Sequence, residues 1–318
     1  MAAMVVSATT AVFDAGRHAV AVKHVEHGGA PKPVMMVATP TDSGAYPVAI
    51  FLHGFNLRNG LYESLLRHVA SHGFIVVAPR LYGFTLSPND GADIDTTRDL
   101  AASLPRGLAG VLDDAFQLRG AAQPDLARLA LAGHSRGGDT AFAVALGLPT
   151  DSSCSLAAGD APKFSALIGV DPVAGFSPNS KQQTEPAVLT FEPRTLEPGM
   201  PALVIGTGLG PRHVGGVPCA PVGLNHAEFY DECAPPRYHA VARDYGRAPR
   251  HAGRRRALLP QQLHVHEEHA RHQGARPEGH RGAHGGLPQG GAAGRRRGSR
   301  GRARKPRPRA GRAHPSRA

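Results

Sequence analysis

The sequence predicts an α/β protein: a mostly parallel sheet covered by helices on both faces. Three observations predict it. Short β-rich apolar runs recur between turn residues, amphipathic stretches at helical spacing separate them, and the runs are near-continuous, as strands buried on both faces require. Pro47 to His53 is the first such strand. Leu61, Leu65, Leu66 and Val69 then recur at helical spacing up to a stop at Gly73. Gly73 to Pro79 reads as a second strand, Leu100 to Leu118 as a helix, and Leu129 to Ala132 as a third strand. A helix over Gly138 to Leu146, a strand over Phe164 to Val170 and another over Ala202 to Gly206 complete the pattern.

The overall net charge of +11 hides two unlike segments. Residues 1–245 carry 17 Lys and Arg against 22 Asp and Glu, whereas residues 246–318 carry 19 against 3. All 17 Phe and Tyr precede position 246. A stretch dense in Arg, Gly, Pro and His and without aromatics cannot bury enough surface to offset chain entropy. The organisation expected is therefore a flexible N-terminal segment over 1–33, a folded α/β domain over 34–246, and a non-globular, basic low-complexity tail over 247–318. Three cysteines, Cys154, Cys219 and Cys233, are too few for a disulfide framework and read as plain buried thiols, although Cys219 and Cys233 could pair. No Cys/His spacing suits zinc and no apolar run approaches a membrane span. Met1 to Thr10 is small and uncharged like a transit peptide, but lacks its usual arginines.

The chemistry centres on Gly133-His134-Ser135-Arg136-Gly137. It follows a strand and precedes a helix, the setting of the Gly-x-Ser-x-Gly nucleophile elbow and of the α/β-hydrolase fold. A serine on so tight a turn leaves no room for side chains two residues away, which explains both glycines. Taken alone the pattern is common, and most isolated matches are ordinary Gly/Ser turns; here its flanks select Ser135 as nucleophile. The oxyanion needs two backbone donors, assigned to the amide of Arg136 and, across the His53-Gly54-Phe55 turn, the amide of Phe55. Gly54 could instead merely end a strand. Asp171 leaves the end of a later strand and is held extended by Pro172, so it is the acid expected to orient the base. Asp151, Asp160 and Asp231 compete from looser contexts, and Asp171 could be only a capping residue. The base should be a late histidine. His213, His226 and His239 are the candidates, and His226 is the most distinctive, although it also reads as a structural loop histidine.

Several of these stretches together resemble plant chlorophyllase. They are Phe51-Leu52-His53-Gly54-Phe55, Ala70-Ser71-His72-Gly73-Phe74, Gly133 to Gly138, Ile168 to Gly175, Gly206 to Pro211, and Leu224-Asn225-His226 with Glu228-Phe229-Tyr230. The resemblance spans about Val34 to Gly246. It implies hydrolysis of chlorophyll to chlorophyllide and phytol, no metal or organic cofactor, a small-molecule pigment substrate with peripheral contact to pigment-bearing membrane, and a chloroplast location, the cytoplasm being the alternative. It matches Ser135 to the family nucleophile and Asp171 to its acid.

The family histidine follows Asp-Tyr-Gly in a run Gly-His-(Leu/Met)-Asp-Met-Leu-Asp-Asp. Here Asp244-Tyr245-Gly246 is followed by Arg247. Reading each codon one base forward can convert Arg247 to Arg255 into Gly-His-Leu-Asp-Met-Leu-Asp-Asp-Asp. The same shift can turn Leu263-His264-Val265 into Cys-Met-Cys, and His284 to Ala292 into an apolar helix. A frameshift near Gly246 is therefore expected, leaving the domain without its base and without a helix to cover the sheet. As written, the chain is expected to be a strongly impaired hydrolase. A general carboxylesterase and a catalytically dead chlorophyll-binding protein are the alternatives. A tail that binds nucleic acid or anionic lipid by charge is the rival reading of residues 247–318; it lacks the aromatic interleaving of nucleic-acid platforms, so no nucleic-acid partner is expected.

Overall fold

A computed structural model describes residues 12–25, 34–150, 163–177, 182–212 and 218–245. The expectations for Met1 to Thr10, Cys154, Asp151, Asp160, His213 and the tail fall outside these residues. All described residues belong to one compact unit, Met1–Glu268.

Ten strands form. β1 (Val20–Val25), β2 (Met35–Pro40), β3 (Gly44–Leu52), β4 (Ile75–Pro79) and β5 (Ala122–His134) come first. β6 (Ala166–Val170), β7 (Gly175–Ser177), β8 (Gln182–Gln183), β9 (Ala202–Thr207) and β10 (Arg237–Ala242) follow. Eight of them make one sheet in the order β1-β2-β4-β3-β5-β6-β9-β10, while β7 and β8 form a small separate pair. From β4 to β10 the pairing is parallel; β1 and β2 join antiparallel at one edge. This is the mostly parallel α/β-hydrolase sheet the sequence predicts. Helix α1 (Glu63–Ser71) lies on one face. Helices α2 (Gly91–Phe116), α3 (Arg136–Ala145) and α4 (His226–Glu232) lie on the other.

The larger apolar cluster joins Leu104, Leu108 and Leu112 of α2 and Phe142 of α3 to Ile50, Leu131, Leu167 and Val204 of the sheet. Its counterpart sets Leu66 and Ala70 of α1 against Met36, Phe51 and Val76. The alternation of sheet residues between these clusters follows from the two-residue period of a strand.

Three expectations need correction. The supposed flexible segment 1–33 contains β1, whose Val20 and Val22 pack beside α1 while Lys23 and His24 face solvent. An edge strand of mixed polarity gives no continuous apolar run, so its sequence looks like linker. Helix α2 starts at Gly91, well before Leu100, because Asp90 and Asp93 are buried rather than solvated. Cys219 and Cys233 are both free thiols, and only Cys233 is buried.

Candidate active site

Ser135 sits between the last residue of β5 and the first of α3, with φ 54° and ψ −124°. A non-glycine residue in that region costs about 1–3 kcal/mol and persists only where its surroundings enforce it. Here they do. The Ser135 N–H donates to the Val170 carbonyl (3.0 Å), and the Ser135 carbonyl accepts from Gly138 (2.9 Å), Asp139 (3.2 Å) and Val173 (3.2 Å). The flanking glycines fit the steric reason given for them. A Cβ on Gly133 would lie 2.0 Å from the Gly137 carbonyl oxygen, and one on Gly137 would lie 2.5 Å from that of His53. Backbone cannot retreat as a side-chain tip can, so Gly137→Ala should cost about 3 kcal/mol or more, read as a lower urea midpoint.

The turn after β3 passes against the elbow. A Cβ on Gly54 would meet His134 Nδ1 at 2.8 Å and Ser135 Cβ at 3.2 Å, so Gly54 serves close approach and does more than end a strand. The Gly54 N–H donates to the Tyr62 hydroxyl (3.1 Å), and that hydroxyl meets His134 Nδ1 at 2.7 Å. Gly54's amide is thus spent on structure, and the next amide in the turn is that of Phe55. The Phe55 ring packs edge-on to Phe176, with centroids 4.9 Å apart. Tyr62 was not singled out from the sequence, and its link to Gly54 has no local signature.

Asp171 follows β6 directly and is buried, but its φ of 46° is left-handed, not the extended conformation expected from Pro172. The bond from its N–H to the Ile205 carbonyl and the Thr207 bonds to its carboxylate hold it there. Its Oδ1 accepts from the Thr207 N–H (3.2 Å) and its Oδ2 from the Thr207 hydroxyl (2.6 Å). Burial raises its pKa above the ordinary carboxylate value, and the two Thr207 bonds oppose the rise. Because β5 and β6 are neighbours in register, His134 opposite Val170, Ser135 and Asp171 leave adjacent strand ends at one edge of the sheet. The structure brings these two together.

Neither described histidine candidate joins them. His226 is the first residue of α4, not a loop residue, and its ring lies over Gly206, where a Cβ would be 2.3 Å away. His226 Nδ1 meets His239 Nε2 at 3.0 Å, and His239 stacks on Tyr230. Burial lowers both imidazole pKa values, as expected for neutral rings sharing one proton between them. Asp231, the described rival acid, lies in α4 with its backbone carbonyl bonded by Arg237 (2.8 Å) and Arg194 (3.2 Å).

Beneath the elbow lies a buried ionic network that the sequence reading missed. The Arg136 side chain, 4% exposed, turns inward. Its guanidinium reaches Asp90 Oδ1 at 2.7 Å and Asp93 Oδ2 at 3.2 Å, and it donates to the carbonyls of Ser87 (2.5 Å) and Asn89 (2.9 Å). Thr140 bonds Asp90 (3.1 Å) and Thr184 bonds Asp139. One cation thus faces three acids. Burial pushes Asp90 up to about 7 and Asp93 up to about 6 despite the guanidinium, and pushes Asp139 well up, with Asp90 adding to it. A carboxyl whose pKa is raised on folding stabilises the fold most below its unfolded value, and that contribution is lost as pH rises through the folded value. His53, His226 and His239, lowered by burial, act with the opposite sign. Comparison with a variant isolates the acid. Asp139→Asn should raise the melting temperature by a few degrees at pH 8 and barely change it at pH 5. An equal effect at both pH values would show that folding does not raise the Asp139 pKa.

A family model described as chlorophyllase matches residues 8–250. The chain belongs to the chlorophyllase family. It is 44% identical to chlorophyllase-1 of Arabidopsis thaliana over 217 residues, 68% of this chain and 62% of that protein. Chlorophyllase-2 of the same plant is 43% identical over 219 residues, 68% of this chain and 64% of the relative. Chlorophyllase-1, chloroplastic, of Citrus unshiu is 39% identical over 217 residues, 68% and 58% of the two chains. The chain thus spans less than two thirds of the length of each of these relatives. The family match takes in β1, the elbow, the Asp171 turn and β10, and so covers every element that builds the candidate site.

Proposed function

We propose that this chlorophyllase family member is a serine ester hydrolase architecture for chlorophyll, in which Ser135 attacks the phytyl ester carbonyl. The amides of Phe55 and Arg136 hold the oxyanion, Asp171 orients an imidazole that takes the Ser135 proton, and water then releases the acyl group. The observation that carries this reading is the backbone of Ser135, held at positive φ between two glycines beside a buried carboxylate. The names of the relatives supply the substrate class. The Citrus relatives are named chloroplastic, which favours that compartment for this chain.

The base belongs just after Gly246, where the plus-one reading places a histidine. The chain as written lacks it and is a strongly impaired enzyme. The half-exposed Ile168, Leu203 and Ile205 lie on the sheet face opposite α3 and fit a fold that lacks a covering helix. The test is labelling by a fluorophosphonate, together with phytol release from chlorophyll, using a chain with the plus-one sequence after Gly246. Both should occur and both should vanish in Ser135→Ala. Labelling elsewhere, or phytol release that survives Ser135→Ala, would remove Ser135 from the reaction. Turnover of small esters but not of chlorophyll would replace this reading with a general carboxylesterase.

A further inference from the structure

We infer that Tyr62 is a positioning residue for the proposed hydrolysis: its hydroxyl ties the turn carrying the Phe55 amide to the elbow carrying the Arg136 amide, and so holds the two oxyanion donors at their working separation. The inference rests on the reading of Ser135 as nucleophile, and adds a residue that acts through its neighbours and not on the reacting atoms. Tyr62 closes a short 3-10 turn, Asn59–Tyr62, just before α1, and is 9% exposed. Its ring packs against Phe51 of β3, with centroids 4.9 Å apart. Its hydroxyl accepts the Gly54 N–H (3.1 Å) and lies 2.7 Å from His134 Nδ1. An amide N–H can only donate, so it occupies one lone pair of the phenolic oxygen. A second hydrogen bond joins that oxygen to the imidazole, and either His134 tautomer supplies it.

The tie falls where the sheet stops. Backbone pairing between β3 and β5 ends at Leu52 opposite Gly133. Gly54 and His134 lie just past that pair, one residue before Phe55 and one before Ser135. Glycine is the residue least able to hold its own conformation, yet both peptides that flank Gly54 are pinned. Its carbonyl accepts the Leu57 N–H (3.0 Å) and meets His53 Nδ1 at 3.1 Å. His53 Nε2 accepts the Leu81 N–H (3.0 Å), so the His53 proton sits on Nδ1 and is donated to that carbonyl. In a trans peptide the N–H points opposite to the C=O, so these bonds aim the Phe55 amide away from them. Tyr62 holds the preceding peptide, and with both planes set the Phe55 N–H has one direction.

Tyr62 is itself anchored. Asn59, 4% exposed, donates from Nδ2 to the carbonyls of Val34 (3.2 Å) and Ala78 (2.9 Å), which fastens the start of the same turn to the sheet. A rigid post thus spans two turns that pass in van der Waals contact, a Cβ on Gly54 lying 3.2 Å from Ser135 Cβ. Tyr62→Phe keeps the ring and deletes only the polar end of that post. Outright loss of one oxyanion donor costs a hydrolase about 10²–10³ in kcat, so letting one drift should cost about tenfold.

The experiment compares Tyr62→Phe with its parent in two readouts. In the full chain as written, the Gly54 amide should exchange with deuterium at least about tenfold faster in the variant, beyond any acceleration at the Ile50 amide inside β3. In the chain with the plus-one sequence after Gly246, kcat for a p-nitrophenyl ester should fall about tenfold, with KM within about twofold. The decisive quantity is the ratio of kcat/KM for that ester to kcat/KM for its thiono analogue. Sulfur accepts hydrogen bonds weakly, so the two donors accelerate the ester alone and the ratio should also fall about tenfold. A merely loosened fold slows both substrates and leaves the ratio where it was. Unchanged Gly54 exchange, or an unmoved ratio in a chain whose turnover needs Ser135, would overturn the role of Tyr62 and leave the nucleophile standing. Turnover that is absent, or that survives Ser135→Ala, would remove both.

Discussion

Replacing everything after Gly246 with the plus-one sequence should raise ester hydrolysis by roughly 10⁴- to 10⁶-fold over the chain as written. That is the scale on which loss of the general base costs a Ser-His-Asp enzyme its turnover. The geometry explains why the change should be so local. Strand β10 ends at Ala242, and the chain then runs beside the loop after β9. Gly208 donates to the Ala242 carbonyl (3.0 Å) and Leu209 to the Tyr245 carbonyl (2.9 Å). A Cβ on Gly208 would sit 2.2 Å from the Arg243 carbonyl oxygen, so the two segments touch backbone to backbone. The residue before that glycine, Thr207, binds both oxygens of Asp171. The chain therefore leaves Tyr245 one loop's width from Asp171, the carboxylate proposed to orient the imidazole. A histidine placed three residues further on, at position 248, has only a short gap to cross.

Two controls make the result specific. In the restored chain, Asp171→Asn should lower kcat about 10⁴-fold, because the imidazole loses both its orientation and the charge that stabilises its protonated form. In the chain as written, His226→Ala and His239→Ala should leave the residual rate untouched, since those rings are engaged with each other. Chlorophyll turnover by the chain as written that disappears with either substitution would move the base to α4 or β10. Pigment binding with no phytol release by either chain would favour the catalytically dead alternative.

What the sequence discloses and what it conceals follows burial. Strands β3, β4, β6 and β9 are legible because nearly every residue is apolar, although only β3 and β4 are buried on both faces while β6 and β9 alternate buried and half-buried residues. Ser135 is legible because its two glycines answer a backbone collision that no other residue survives. Strand β10 is hidden because Arg237-Tyr238-His239 alternates polar and exposed residues at a sheet edge. Helix α4 is only seven residues long, too short for a periodic pattern. Its start is nonetheless written in Asn225 and Glu228, which cap it reciprocally: Asn225 accepts from Ala227 (3.0 Å), and Glu228 accepts from Asn225 (3.0 Å). The ionic network is hidden. Asp90, just before α2, and Asp93, in its first turn, are buried on Arg136. The missing clue lies 43 residues beyond Asp93, in the one bulky charged residue of Gly-His-Ser-Arg-Gly.

Arg136→Met should accordingly destabilise the chain by about 3–5 kcal/mol, the range for removing one partner of a buried ion pair. The loss is not the attraction alone. Asp90 and Asp93 would stay in place without a cation, and the carbonyls of Ser87 and Asn89 would lose their donors. Marginal folds hold about 5–15 kcal/mol in total, so urea unfolding should show a large shift in midpoint. The compensating variant decides the cause. Adding Asp90→Asn and Asp93→Asn to Arg136→Met should recover most of the loss, because neutral amides leave no unpaired charge in the core. If the triple variant were no more stable than the single one, the cost would lie in the packing of the arginine stem against Phe55 and Tyr82, whose ring centroids lie 5.7 and 5.2 Å from its guanidinium carbon. A cost below about 1 kcal/mol for Arg136→Met would mean that the acids are already protonated at neutral pH. The same network fixes the amide that follows Ser135, so stability and the proposed oxyanion geometry should fail together here.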